Sequence, residues 1–113
     1  MNNDKTASVY VTRVIDGDTF VGDVPFHILG HVMILKDQHF RMIGINAPEI
    51  KGSTKPQGEE SRDFLKSLID GKQILIECNT TDKYGRWLAT AIVGGMNVND
   101  YMVLKGFAER RDY

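Results

Sequence analysis

Apolar and polar residues alternate along several stretches of this chain and recur at helical spacing in two others, and the two periods sort it into elements. Ser8-Val9-Tyr10-Val11-Thr12-Arg13-Val14-Ile15 predicts a strand, with Val9, Val11 and Arg13 on one face and Tyr10, Thr12 and Val14 on the other. Asp16-Gly17-Asp18-Thr19 interrupts it before Phe20-Val21 resumes the apolar run, and a glycine at such a point marks a bulge or tight bend. Phe26 to Leu35 and His39 to Ile45 are expected to form a long hairpin, with Lys36-Asp37-Gln38 as its turn and Gly30 as a kink in the first arm.

The pattern changes after Pro48. Ile50 to Gly58 is rich in Gly, Ser, Pro and Lys and is expected to be an exposed loop. Glu59 to Asp70 carries Phe64, Leu65, Leu68 and Ile69 at helical spacing, with acids at its start and Gly71 past its end, so it predicts an amphipathic helix. Strands are expected over Gln73–Cys78 and Arg86–Val93, the latter closing at Gly94-Gly95. A short helix follows, capped by Asn97 and ended at Gly106. Five strands, a helix before the last two and a helix at the end fit a small barrel with helices outside.

Length and composition narrow the reading. A chain of 113 residues, 42% of them hydrophobic, supports one core and one domain, taken as residues 8–113 behind a flexible start of residues 1–7. The single cysteine, Cys78, excludes an intramolecular disulfide and is expected to act as a small buried hydrophobe. His27, His31 and His39 have no zinc spacing. A formal net charge of -1 gives no global basic signature, so nucleic acid would have to be met by a local site. No run reaches signal-peptide or membrane-spanning length, so the expectation is a cytoplasmic monomer without membrane contact, or a secreted one if a leader has been removed.

The candidate chemistry sits where strands meet loops. Arg41, Asn46 and Glu49 lie in Phe40 to Glu49, a strand stopped by Pro48, in which Arg41 shares a face with Ile43 and Ile45 by the two-residue period. Asp16/Asp18 and Asp82-Lys83-Tyr84-Gly85-Arg86 are the other two groups; each alone reads as a turn. Together, paired carboxylates and two arginines form an inventory for metal-assisted phosphodiester cleavage. A hard cation takes oxygen ligands, and preorganised cations stabilise the equatorial oxygens while a carboxylate handles the attacking water.

Val14-Ile15-Asp16-Gly17-Asp18-Thr19, Phe40-Arg41 through Asn46-Ala47-Pro48-Glu49, and Thr81-Asp82-Lys83-Tyr84-Gly85-Arg86 resemble, in order and spacing, the three signature blocks of the staphylococcal nuclease (thermonuclease) family. The resemblance covers roughly residues 8 to 110. It implies a mainly β (α+β) protein, a five-stranded OB-fold barrel with two flanking helices. It also implies Ca²⁺-dependent hydrolysis of DNA or RNA, Mg²⁺ or another divalent cation being the alternative, with water attacking phosphorus and a 3′-phosphate left. By motif position, Asp18, Asn46 and the backbone carbonyl of Ala47 would hold the metal, with Asp16 and Thr19 supporting them. Glu49 would be the general base or water orienter, Arg41 and Arg86 the phosphate-binding arginines, and Lys83 and Tyr84 the contacts to the outer phosphate.

The chain also departs from the best-studied pattern, which has Asp at Asn46 and Thr at Ala47. Asn46 keeps an oxygen for the metal and loses a charge. The hairpin is longer than in that pattern, the last helix is expected to be missing, and a tail aromatic is represented only loosely by Tyr113. The rival reading is a catalytically weak or inactive OB-fold module that binds nucleic acid or a protein; a third is a barrel acting on another small phosphoester.

Overall fold

The computed structural model describes residues 5–111; Tyr113, the candidate tail aromatic, lies outside them. Its elements are β1 (Thr6–Asp16), β2 (Thr19–Ile28), β3 (His31–Met42), β4 (Ile45–Asn46), α1 (Lys55–Ile69), β5 (Gln73–Thr81), β6 (Trp87–Val93), β7 (Met96–Asn97), α2 (Val98–Leu104) and β8 (Glu109–Arg110). The sheet runs β3-β2-β1-β5-β6-β7, and β3 also pairs with β6 in parallel, Phe40 opposite Trp87 and Arg41 opposite Leu88. That pairing closes β1, β2, β3, β5 and β6 into a five-stranded barrel of the OB type, which removes the sheet's open edges there.

Val9, Val11, Phe20, Phe40, Met42, Ile74, Ile76, Ala89 and Ala91 fill the interior. Gly58, Ser61, Leu65 and Ile69, one stripe at three- and four-residue spacing, make the buried face of α1. Register partners Phe20 and Phe40 stack with ring centroids 5.1 Å apart. Asn97 caps α2 as expected, its side chain accepting from the Asp100 N–H.

Four expectations need correction. The hairpin turn lies at Leu29-Gly30, both with positive φ, and not at Lys36-Asp37-Gln38. That turn geometry suits two-residue hairpins, and Gly30 adopts it without strain. The Lys36-Asp37-Gln38 segment lies inside β3, where Asp37 takes φ 56 and its N–H donates to the Asp23 carboxylate across a bulge. Turn-prone composition there marks an extra residue in a strand. In β1 a register shift between Val11 and Arg13 breaks the alternation, so Val14 is buried and Arg13 exposed. At the end of β3 the chain turns at Gly44, leaving Ile43 exposed and Ile45 buried; Arg41, Ile43 and Ile45 do not share a face. Helix α1 also starts four residues earlier than predicted, with Pro56 in its first turn.

Cys78 is half-buried and not fully enclosed. Burial still pushes its thiol pKa up against the opposing hydrogen bonds to Thr80 and Leu88, which favours the unreactive protonated form. No helix among the described residues is long and apolar enough to cross a membrane.

Candidate functional site

Asp16 ends β1 and Thr19 begins β2, so the two residues between them form the connection. The Asp18 N–H donates to Asp16 Oδ1 at 3.1 Å, which folds the turn on itself. Gly17 has to be glycine for reasons of space. A Cβ there would stand 1.8 Å from Ser61 Oγ of α1 and 2.8 Å from Ala47 Cβ, so its absence lets the Asp16–Asp18 turn, the helix and the Ala47 loop meet.

Those contacts aim Asp18 inward. Its side chain is buried, with Oδ1 accepting from the Thr19 hydroxyl at 2.9 Å and Oδ2 from the Ala47 N–H at 2.8 Å. Arg41, the register partner of Thr19, reaches the same carboxylate, with Nη2 at 3.4 Å from Asp18 Oδ2. That nitrogen is also 3.4 Å from Asn46 Oδ1, and Nη1 donates to the Met42 carbonyl at 2.8 Å. Asp18, Thr19, Arg41, Asn46 and Ala47 therefore converge, and the two candidate ligand oxygens are both within reach of one guanidinium nitrogen.

A carboxylate and an amide oxygen, with no imidazole or thiolate beside them, are oxygen donors of the kind a hard cation takes. Among the described residues no group of three or more His, Cys, Asp or Glu side chains is arranged to hold a metal. Burial, the hydrogen bond with Asp18 and the Asp18 charge push the Asp16 carboxyl pKa up to about 7, against opposing bonds from the Asp18 N–H and Thr19.

Glu49 and Arg86 have their own partners. The Glu49 side chain is 71% exposed and lies 3.6 Å from Lys51 Nζ, while the Thr54 hydroxyl holds the Glu49 carbonyl at 2.8 Å. Arg86 donates from Nε to Asp82 Oδ2 at 2.8 Å, and Asp82 Oδ1 also accepts from the backbone N–H groups of Tyr84 and Arg86. Desolvation of Asp82 works to raise its carboxyl pKa, but these hydrogen bonds and the guanidinium charge outweigh it and hold the pKa below its ordinary value. Asp82 is thus the anchor of Arg86, a role the turn-like sequence does not reveal.

The Tyr84 ring lies 5.3 Å from Lys83 Nζ and 5.5 Å from the Arg86 guanidinium carbon. Tyr84 and Arg86 open onto a polar hollow of about 580 Å³ together with Gln38 and His39. Arg41 lies opposite Leu88 and Phe40 opposite Trp87, so Arg86 directly precedes the strand that adjoins Arg41.

Sequence reasoning also missed Asn99, a buried residue of α2. Its Nδ2 donates to the carbonyls of Ile43 and Ala89 at 2.9 and 3.0 Å, and its Oδ1 accepts from the Ala91 N–H at 3.0 Å. Every polar atom of this amide is satisfied, and it holds the turn that delivers Asn46. A polar residue inside a short amphipathic helix gives no local sign of such a role.

The family model for staphylococcal nuclease homologues matches residues 39–113, which include Arg41, Asn46, Glu49 and Arg86. Thermonuclease from Staphylococcus hyicus is 32% identical over 118 residues, covering all of this chain and 64% of that protein. An uncharacterized endonuclease from Escherichia coli O157:H7 is 38% identical over 100 residues, covering 87% of this chain and 57% of its own length. Thermonuclease from Staphylococcus intermedius is 32% identical over 111 residues, 94% of this chain and 61% of that protein. The chain thus spans less than two thirds of the length of these relatives. With a family model matched over more than half its length and the site's cluster folded onto one barrel rim, this chain belongs to the staphylococcal nuclease family.

Proposed function

We propose that this chain is a metal-dependent endonuclease that hydrolyses phosphodiesters of DNA or RNA by water attack on phosphorus. The observation carrying this reading is the convergence of Asp18, Arg41 and Asn46, with Arg41 Nη2 at 3.4 Å from both oxygens. Asp18, Asn46 and the Ala47 carbonyl would hold Ca²⁺, with Mg²⁺ or another divalent cation as the alternative, and Asp16 and Thr19 would keep Asp18 in place. When bound, the cation supplies Lewis-acid polarisation of a phosphoryl oxygen.

The remaining steps belong to the chain's own residues. Arg41 and Arg86 neutralise the charge that builds on the phosphoryl oxygens, and Lys83 with Tyr84 contacts the neighbouring phosphate. Glu49 orients a water and takes its proton as the water oxygen bonds to phosphorus. The bond from phosphorus to the 5′-oxygen breaks, that oxygen takes a proton from solvent water, and a 3′-phosphate remains. To do this the exposed Glu49 carboxylate leaves Lys51, a surface pair worth little in stability.

Glu49→Gln and Arg86→Ala should each reduce the rate of single-stranded DNA digestion by on the order of 10²-fold or more. Undiminished cleavage in both variants would reject these assignments. Asn46→Asp should tighten Ca²⁺ binding, because it restores a charge to an oxygen already beside Asp18; unchanged or weaker affinity by calorimetry would remove Asn46 from the ligand set.

Asn46 in place of a carboxylate favours a second reading, a catalytically weak or inactive OB-fold module that binds nucleic acid or a protein partner. Binding without cleavage in the same digestion experiment would select it.

A further inference from the structure

The outer half of the β2–β3 hairpin projects as a two-stranded ribbon, since β1 pairs with β2 only as far as Asp23. Cross-strand partners share a face of such a ribbon. One face carries Val24/Leu35, Phe26/Met33 and Ile28/His31, and the other carries Pro25/Ile34 and His27/Val32. Phe26, Ile28, Val32, Met33, Ile34 and Leu35 are each 43–60% exposed, and Leu29 at the tip is 92% exposed. From Val24 to Leu35 there is no Asp, Glu, Lys or Arg. Charges begin at one level on both strands, where Lys36 Nζ lies 4.0 Å from Asp23 Oδ2.

The tip is also strained. Leu29 has φ 51, a conformation that Gly, Asn or Asp adopts at lower cost. A leucine there gains no burial within the chain.

We propose that this ribbon is a membrane-surface anchor whose tip, Ile28 to Val32, inserts into the boundary between headgroups and acyl chains of a lipid bilayer. A flat protein partner or a second copy of this chain covers one face of the ribbon. That face offers four large side chains at most, whereas a standard interface uses about 20–30 residues a side. Lipid at that depth surrounds Ile28, Leu29 and Val32 on both strands of the tip together, whereas Phe26 and Leu35 nearer the base line a hollow with Ala7, Ile76 and Trp87. The ribbon's outer edges carry unpaired backbone groups that hydrocarbon cannot satisfy, which limits insertion to the outer ~5–10 Å where headgroups and water remain in reach. Five residues separate Val24 from Leu29, about 17 Å at strand rise, so Asp23 and Lys36 stay among or above the headgroups.

The expectation of no membrane contact rested on the lack of a spanning segment, and surface insertion needs none. Because β2 runs from the Asp18 turn to the tip, anchoring there holds the candidate site up to about 30 Å from the lipid.

The test is co-sedimentation of the full chain with phosphatidylcholine vesicles and with vesicles containing phosphatidylglycerol, at low and high salt. The chain should bind both, and binding should survive high salt. Leu29→Asn, which suits the turn better, and Val32→Thr, which keeps β-branching, should retain the fold and the digestion of a soluble oligonucleotide. Leu29→Asn should weaken vesicle binding about tenfold or more. No binding to either vesicle, equal binding by Leu29→Asn, or loss of binding with salt alone would overturn the proposal. So would a concentration-dependent dimer that Leu29→Asn abolishes without any vesicle binding, which would assign the ribbon to a second copy.

Discussion

Arg41→Lys should lower the rate of single-stranded DNA cleavage by on the order of 10²-fold while leaving the chain folded. The two halves of that expectation come from different contacts. Asp18 and Arg41 side chains are 9% and 11% exposed, so removing the charge altogether would strand a buried carboxylate and damage the fold along with the site. Lysine keeps a positive charge near Asp18. It loses the planar fork whose two terminal nitrogens meet the Met42 carbonyl, Asn46 Oδ1 and Asp18 Oδ2, and with it the fixed geometry for a phosphate. Initial rates and a thermal melt of the same sample separate the two effects. Undiminished cleavage with a melt close to that of the parent would remove the phosphate-binding role given to Arg41.

The largest stability effect is expected one residue earlier. Phe40→Ala should cost about 3–5 kcal/mol of folding free energy, because the ring is 1% exposed, stacks on Phe20 and sits where β3 closes the barrel against β6. For a domain of this size that lowers Tm by at least about 10 °C. Urea unfolding should show a lower midpoint at unchanged slope. A loss below about 1 kcal/mol would mean that the barrel's closure does not depend on this pair. Stability and site are linked here by sequence adjacency, since Arg41 is aimed by the strand that Phe40 anchors.

Local chemistry accounts for how much of this was readable from the residues. Gly71, Gly106 and the Asn97 cap act within a turn or two of their own positions, and the helices they bound are where the sequence places them, apart from an early start to α1. The fold class and family follow from blocks of sequence whose order is preserved. The hairpin turn was misplaced because Lys36-Asp37-Gln38 has turn composition, while Leu29-Gly30 has a leucine where turn chemistry favours Asn or Asp. Bulges in β1 and β3 shift which side chains face inward, and no local signal distinguishes a bulge from a turn. Asp18, Arg41 and Asn46, singled out by type and block, meet in the fold. The anchoring roles of Asp82 and Asn99 and the close approach at Gly17 depend on chain segments that meet only after folding.

Digestion of single-stranded DNA by the purified chain with added Ca²⁺, with Mg²⁺ and with chelator tests the proposed site most directly. Cleavage should appear with a divalent cation, stop with chelator, return when the cation is restored, and leave 3′-phosphate ends. Cleavage that ignores chelator would contradict it.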